Sequence, residues 1–335
     1  MFKLFRRKKQ KQQPEAENTR LAIAALLTYY LKPNTLPSSH TQEDWKNSLG
    51  AKYTTTIQRL VKSGDLRRPN LHESLQFARA KDIKSVLKEH DLRVSGRKAK
   101  LIERLIENAP DAAQRLAEQY ATDAYVVTES GQEKASTFQK EQNQRKTQAK
   151  LQVRDFIKRG NLTAACAVIN QFYIWLPPVL RPGMGMNWDS PNGGMFLYLD
   201  RATYILNNAH SSWIAQELPQ DLRESLIFAA IENELWPGRI TTDGLSLSQD
   251  MKLKRPVDAF LRLFMNLAAN ARDLQNAKEM GITKVGIRTA NDEHICSHCQ
   301  QLSSKTYFLS EVPVLPSPHC TNEICRCSYS LFPDD

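Results

Sequence analysis

The sequence predicts a mainly α-helical, multidomain protein with a small β module at its C-terminal end. Three observations support this prediction. Apolar residues recur at helical spacing in most of the segments that carry a pattern. At 335 residues the chain exceeds a single small core, and its 41% hydrophobic and 24% charged residues are typical of folded domains. Five of the six cysteines lie close together near the end of the sequence.

Charge divides the chain into two unequal halves. Residues 1–160 contain 32 Lys and Arg against 18 Asp and Glu, a net charge of +14, whereas residues 161–335 contain 14 against 18, a net charge of −4. Such an asymmetry indicates a polyanion, most often nucleic acid, as the partner of the first half. The alternative is a solvated basic surface without a specific partner.

Residues 1–17 form a basic tail that we expect to be disordered. The tail lacks the apolar region of a secretory signal. The apolar stretch 162–180 contains Asn170, Gln171 and a Pro pair, which predicts a buried helix rather than a membrane span. We therefore expect a cytoplasmic protein with reduced thiols and no stable membrane insertion, since one short basic segment binds membranes weakly.

Residues 18–70 predict a small helical region. Three short helices end near Pro33, Gly50 and Gly64. The last of them ends in LVKSGDL, and the set loosely resembles the helical part of a winged-helix domain. Because no wing of alternating strand residues is evident, a plain helical bundle is the preferred prediction.

Residues 71–130 contain two predicted amphipathic helices. One face of the first helix carries Ile83, Val86, Leu87 and His90, and an apolar arc of the second, which starts near Arg97, carries Leu101, Ile102, Leu105 and Ile106. Between them lies DLRVSG, in which Leu92 and Val94 can reach the core and Gly96 can adopt a backbone angle that other residues resist. The two helices and the loop therefore predict one small core.

The segment 79–110 resembles a SAP domain, a helix–extended loop–helix module. The matching positions are Leu92, Ser95, Gly96, Lys98, Leu101, Ile102, Arg104 and Leu105, while Asp91 stands where glycine is common. The resemblance implies DNA binding.

The residues of this module supply a physical reason for DNA binding. Residues 79–104 hold nine basic against four acidic side chains. The N-terminus of the second helix adds free backbone N–H groups that attract phosphate. The predicted DNA-binding residues are Arg93, Ser95, Gly96, Arg97, Lys98, Lys100 and Arg104. Backbone contacts of this kind give a strong salt dependence and a weak sequence preference. The alternative is that Ser95 caps the helix and the cations are solvated.

Two further regions precede the cysteines. Residues 131–160 are predicted to form a basic connector helix, with eight basic and three acidic side chains between 133 and 159. Residues 161–280 are predicted to form a helical domain of unknown role, which could receive a protein partner. Within it, Cys166 is predicted to be a core thiol, and Glu232 and Glu234 lack any catalytic spacing.

The C-terminal region, residues 281–335, carries a metal-ligand pattern. Cys-x2-Cys is followed, after 19 intervening residues, by His-Cys-x4-Cys-x-Cys. Two such knuckles can close a tetrahedral shell, and Zn²⁺ accepts four sulfurs at about 2.3 Å. The candidate ligands are Cys296, Cys299, Cys320, Cys325, Cys327 and His319. Cys296 and Cys299 are the firm pair, Cys320 and Cys325 the preferred partners, and Cys327 is close behind.

The metal would stabilise a small zinc-ribbon-like β module. The segments ITKVGIRT and KTYFL are predicted strands, and so short a module buries too little surface to fold alone. A structural zinc site is the preferred prediction. An iron–sulfur or redox site and unliganded thiols stay open as alternatives.

The same segment resembles the zinc-binding tail of phage head-morphogenesis proteins. The matching positions are Cys296, Cys299, Lys305, Phe308, Cys325 and Cys327, while Ser304 stands in place of Gly and the His lies farther from Cys325. We expect a non-enzymatic DNA-binding protein. A phage structural protein and a nucleic-acid enzyme with an unrecognised active site are the alternatives.

Overall fold

A computed structural model describes residues 15–182, 196–236, 241–242, 245, 253–290 and 295–331. The fold is mainly helical, as predicted, with two small antiparallel sheets among these residues. The chain divides into two compact units, the first formed by residues 1–145 and 175–181 and the second by residues 146–174 and 182–335. No helix in the described ranges combines the length and the apolar character that crossing a membrane requires.

The first unit contains eight helices and three short strands within the described residues. In chain order they are α1 (Glu15–Tyr29), β1 (Asn34–Thr35), α2 (Ser39–Leu49), α3 (Tyr53–Lys62), β2 (Leu66–Arg67), α4 (Leu71–Leu75), α5 (Ala80–Glu89), α6 (Lys98–Asn108), α7 (Pro110–Ala121), β3 (Ala124–Val127) and α8 (Glu129–Lys158), which continues into the second unit. Residues 15–17 of the expected tail therefore belong to α1, and residues 1–14 lie outside the described part of the chain.

The sheet of the first unit was not predicted for residues 18–70. Its strand order is β1–β3–β2, and β3 pairs antiparallel with both neighbours. Thr35 lies opposite Ala124, and Leu66 lies opposite Val127. Two-residue strands carry no alternation, and their shared partner lies about 60 to 90 positions further along the sequence. The local pattern of the helical region could therefore not reveal these strands.

A polar cluster fixes the start of α8 against β2. The buried carboxylate of Asp65 accepts hydrogen bonds from Lys134 at 2.6 Å, Ser130 at 2.8 Å and Ser63 at 2.9 Å. Burial would raise the pKa of Asp65, but these bonds hold it below its ordinary value. A Cβ at Gly131 would lie 2.1 Å from the carbonyl oxygen of Asp65, so the close approach requires glycine.

The second unit combines helices with a C-terminal sheet. Its described elements are α9 (Leu162–Trp175, the last residue belonging to the first unit), α10 (Phe196–Asn208), α11 (Trp213–Gln216), α12 (Gln220–Leu235), α13 (Val257–Glu279), β4 (Lys284–Arg288), α14 (Ser297–Ser303), β5 (Thr306–Phe308) and β6 (Ser328–Leu331). The sheet order is β5–β4–β6, with both pairs antiparallel. The predicted strands ITKVGIRT and KTYFL correspond to β4 and β5, whereas β6 was not predicted.

Several charged side chains are buried inside the second unit. The carboxylate of Glu232 contacts the guanidinium of Arg154 at 2.6 Å, and Glu234 contacts Arg201 at 2.9 Å. Burial raises the pKa of Glu234 to about 7 despite the opposing effect of Arg201. Burial also raises the pKa of Cys166 to about 11, which agrees with a core thiol. Both glutamates therefore pack within ion pairs.

Candidate nucleic-acid interface and metal centre

The predicted helix–loop–helix module is formed by α5 and α6. Ile83, Leu87, Leu101, Ile102 and Leu105 are buried in one apolar cluster, as the pattern predicted. Helices α4 and α7 complete the cluster, chiefly through Leu75, Ala113 and Leu116. The core thus contains four helices, although only two of them carried a strong pattern.

Two of the expected core residues lie elsewhere. His90 is exposed and forms the C-terminal end of α5, and Val94 is 40% exposed in the loop. Helix α5 ends at Glu89, and His90, its C-cap, has a non-helical φ of −106°, so its side chain does not continue the helical face that predicted its burial. Leu92 packs against the core as expected.

Two residues of the loop, Asp91 and Gly96, have positive φ angles. Asp91 occupies the left-handed region at the position where glycine is common, and Gly96 has φ 128°. Aspartate tolerates the left-handed region better than most residues, so the loop keeps its shape despite the substitution.

Several basic residues of the predicted DNA-binding set hold the loop in place. The guanidinium of Arg104 donates to the carbonyl oxygens of Arg93 and, at 3.2 Å, of Ser95. Arg93 donates to the hydroxyl of Ser95 at 2.6 Å, and Lys98 donates to the carbonyl of Gln76 at 2.6 Å. The contacts of Arg104 and Arg93 order the loop that leads into α6, and the contact of Lys98 joins the start of α6 to the end of α4.

The start of α6 presents the features expected of a phosphate site. Arg97 is the N-cap residue and its side chain makes no capping hydrogen bond, so Ser95 does not cap this helix. Arg97 and Lys100 are exposed. Lys100 pairs with Glu103 at 2.8 Å, and this pair raises the pKa of Lys100. Backbone N–H groups, a helix dipole and exposed cations therefore meet at one place.

The five C-terminal cysteines converge on one buried site. The sulfurs of Cys296, Cys299 and Cys320 lie within 4.8 Å of one another, and so do those of Cys299, Cys325 and Cys327. The Sγ–Sγ distance is 3.8 Å between Cys296 and Cys320 and 3.9 Å between Cys299 and Cys325. Tetrahedral Zn–S bonds of about 2.3 Å place neighbouring sulfurs about 3.8 Å apart. The spacing therefore fits a four-thiolate metal site.

The thiols are too close to ionise independently. Hydrogen bonds from Cys320 and Cys327 lower the pKa of Cys325 to about 2, while the same contacts raise the pKa values of Cys320 and Cys327. Burial raises the pKa of Cys299 to about 12. Burial opposes ionisation of Cys296 as well, but the N–H groups of Cys299 and Thr321 outweigh it and lower the pKa to about 7. A divalent cation would compensate the charge of several thiolates held together.

His319 does not join the thiol groups among the residues that the structure describes. His319 is exposed, and the centroid of its ring lies 5.3 Å from that of the His298 ring. His298 Nε2 lies 2.9 Å from the hydroxyl of Ser317. The candidate ligand set is therefore reduced to the five cysteines.

Side chains from the helical part of the second unit hold residues 316–327, called here the cysteine loop, by donating hydrogen bonds to its backbone carbonyl groups. Arg255 donates to the carbonyls of Asn322 and, at 2.8 Å, Glu323, and it pairs with Glu217 at 3.1 Å. Asn266, on α13, donates to the carbonyl of Cys325 at 3.1 Å. One turn later, Asn270 donates to the carbonyl of Cys327 at 3.4 Å. Trp213 donates to the carbonyl of Pro316 at 3.0 Å.

Sequence reasoning missed these supporting residues. None lies within the metal motif, and Arg255 precedes the loop that it holds by more than 60 positions. The only available signal was Asn266 and Asn270, two amides spaced by one helical turn in an apolar helix.

A comparison with protein-family models identifies one part of the chain. Residues 79–108 match the SAP domain. The match covers less than a tenth of the chain, and the SAP domain implies nucleic-acid binding. No curated protein and no solved structure matches the sequence, and no phage homology is shown for the cysteine segment.

Proposed function

We propose that this chain is a non-enzymatic, cytoplasmic DNA-binding protein whose SAP domain contacts the phosphate backbone and whose C-terminal cysteines hold a structural zinc ion. The observation that carries the proposal is the start of α6 in the SAP domain, where uncapped N–H groups lie beside the exposed Arg97 and Lys100.

The cations of the SAP surface have two different roles, since some order the loop and others contact phosphate. Arg104 and Arg93 order the loop through carbonyl and hydroxyl acceptors, and Lys98 joins the start of α6 to the end of α4. Ser95 and Gly96 then place backbone groups near a phosphate oxygen, and Arg97 and Lys100 supply charge. None of these contacts reads a base, so binding through this surface has little sequence preference and weakens steeply with salt.

The zinc site uses four of the five thiols. The two Sγ–Sγ distances near 3.8 Å join Cys296 to Cys320 and Cys299 to Cys325, and these four are our proposed ligands. Cys327 then lies beside the ion as a hydrogen-bonding neighbour of Cys325. A closed set of four sulfurs leaves no position for substrate, so the ion stabilises the fold and performs no chemistry.

The rest of the second unit is proposed to receive a protein partner. Its buried ion pairs, Glu232 with Arg154 and Glu234 with Arg201, pack within the unit and are assigned a structural role. The proposal of a non-enzymatic role rests on this assignment and on the closed thiolate site.

DNA binding is tested by fluorescence anisotropy of the full chain with a labelled duplex of about 25 base pairs at several salt concentrations. Replacing Arg97 and Lys100 by Gln should lower the slope of log affinity against log salt by about 1.8, because two phosphate contacts are lost. The matched control replaces the exposed Lys84 and Lys88 of α5 by Gln, which removes the same charge from the same domain. Absence of binding by the wild-type chain at low salt would refute the function, and equal slopes for both variants would refute this surface.

A further inference from the structure

In the first unit, the helices and strands on either side of the SAP region form a small domain of their own. Outside the SAP region the order of elements is α1, β1, α2, α3, β2 and β3, and the strands form a sheet of order β1–β3–β2. Residues 68–123 connect the antiparallel neighbours β2 and β3. The SAP domain is therefore inserted into what would otherwise be a hairpin.

The base of this insertion is closed by Arg68. Its guanidinium donates to the carbonyl of Thr122 at 2.6 Å and to that of Ala124 at 3.3 Å, and it lies 4.3 Å from the centre of the Tyr125 ring. These contacts join the two ends of the insertion, and Arg67 of β2 also pairs with Glu73 of α4 at 2.7 Å, so both ends of the insertion are held at the small sheet.

Helices α2 and α3 form a helix–turn–helix pair. They are separated by Gly50, Ala51 and Lys52, and Gly50 takes a left-handed φ of 62° at the end of α2. A three-residue turn with glycine is the usual connection of this motif. The buried hydroxyl groups of Tyr30 and Tyr53 lie 2.9 Å apart, and the ring of Trp45 lies 6.5 Å from that of Tyr53. These contacts attach α3 to α1 and α2.

The two faces of α3 differ sharply in character. Tyr53, Thr56, Ile57 and Leu60 are buried, whereas Thr54, Thr55, Gln58, Arg59 and Lys62 are exposed. At about 100° per residue the exposed polar side chains form one continuous arc. The helix contains no acidic residue. Each acid of α2 has a nitrogen partner: Glu43 lies 2.7 Å from the ammonium of Lys46, and Asp44 lies 3.3 Å from the ring of His40.

We propose that α3 enters the major groove of double-stranded DNA and reads base edges. The inference rests on the proposed function and adds to it a sequence preference that the SAP surface does not supply. The amide of Gln58 can pair with adenine and the guanidinium of Arg59 with guanine, each through two hydrogen bonds, while the Thr54 and Thr55 methyl groups can contact thymine. The second helix of such a pair reads bases mainly with its N-terminal residues; Thr54 and Thr55 lie in the first half of α3, and Gln58 and Arg59 follow on the next turn.

Duplex DNA is favoured over duplex RNA as the occupant. The major groove of B-form DNA admits a helix, whereas that of A-form RNA is too deep and narrow for side chains to read. The SAP insertion lies in the same unit, so its backbone contacts would raise affinity for any sequence while α3 selects among sequences.

The test is selection of duplex DNA with a random core of 20 base pairs by the full-length protein, followed by sequencing. The wild-type chain should enrich a short motif. The Gln58→Ala/Arg59→Ala variant should lose it, because each two-bond contact discriminates about tenfold to a hundredfold between bases. Its affinity for unselected DNA should fall no more than the loss of one cation implies.

A matched control removes the same groups from another exposed helix. The Gln114→Ala/Arg115→Ala variant replaces an exposed Gln-Arg pair on α7 and should enrich the same motif as the wild type. The Arg97→Gln/Lys100→Gln variant should bind every sequence more weakly without changing the motif. Wild-type preference for the selected DNA over an RNA duplex of the same sequence is also expected.

The outcomes separate this inference from the proposed function. If the wild-type chain retains no DNA, the proposed function fails. If it retains DNA without enriching a motif, or if the α3 variant enriches the same motif as the wild type, DNA binding stands and the role of α3 is overturned. Equal binding of the selected DNA and its RNA counterpart would also overturn it.

Discussion

Different interactions stabilise the SAP domain and the C-terminal module that carries the five cysteines, called here the cysteine module. In the SAP domain a continuous cluster of leucine, isoleucine and alanine side chains excludes water. Among the described residues 295–331, the buried apolar and sulfur side chains are mainly the five cysteines, with Leu315 and Tyr329. The first module folds by burying apolar surface, whereas we propose that the second depends on a metal ion as well as on hydrogen bonds from α13 and its surroundings.

The two modules also differ in where the residues that order their loops lie in the chain. The SAP loop is ordered by residues of the same module, chiefly Arg104. The cysteine loop is held by Arg255, Asn266 and Asn270, which lie well before it in the chain. A perturbation of the cysteines should therefore spread into the helices that support them, and a perturbation of the SAP core should leave the metal site intact.

Metal removal should have the largest effect. Binding of structural zinc supplies on the order of 10 kcal/mol in small modules, so a strong chelator should expose residues 284–331 to solvent. Hydrogen exchange should show loss of protection there while the SAP core stays protected, and metal analysis of the untreated chain should return about one zinc ion. Cys325→Ser should reproduce the loss, whereas Cys166→Ala should keep its zinc. Unchanged protection after complete metal removal would contradict the comparison.

Creating a cavity in the SAP core should have the next largest effect on stability. Leu105→Ala removes a fully buried side chain and should lower the free energy of unfolding of the first unit by about 2–5 kcal/mol. The measurement is urea denaturation followed by hydrogen exchange. Val94→Ala, at a side chain that is 40% exposed in the loop of the same domain, is the control and should change little. Loss of zinc from the Leu105 variant would show that the two modules are not independent.

Removal of the Arg255 guanidinium should have a moderate effect confined to the metal module. Arg255→Met removes the guanidinium that donates to the carbonyls of Asn322 and Glu323 and pairs with Glu217. Zinc affinity should fall about tenfold to a hundredfold, measured by competition with a chelator. Arg262→Met is the control, because Arg262 is about half exposed and faces Asp258 at 3.9 Å. Equal zinc affinities in the two variants would remove the supporting role of Arg255.

Relief of the backbone strain at Asp91, the residue with a left-handed φ in the SAP loop, should have the smallest effect on stability. Asp91→Gly should raise the free energy of unfolding of the first unit by at most about 1 kcal/mol, because glycine adopts this conformation without strain. The exposed Glu89 lies within α5, and Glu89→Gly should instead destabilise by about 1 kcal/mol. Thermal unfolding would distinguish the signs, and destabilisation by both changes would show that Asp91 has a favourable contact.

The sequence was sufficient to predict part of each module. The apolar spacing of Ile83, Leu87, Leu101 and Leu105 predicted their burial, since helical periodicity is a local property. The burial of His90 was wrongly expected because the helix ends there. The cysteine spacing predicted the thiol cluster but not which thiols pair, because that depends on how the loop between the knuckles folds.

By itself the sequence determined the helical character of the chain, the SAP core, the convergence of the cysteines and the charge difference between the halves. Each of these depends on spacing or composition within a short segment. Only the tertiary structure decided that β3 joins β1 and β2 around the SAP insertion and that Arg255 holds the cysteine loop. These features pair residues far apart in the chain, and short-range patterns do not record which distant groups satisfy one another's hydrogen bonds.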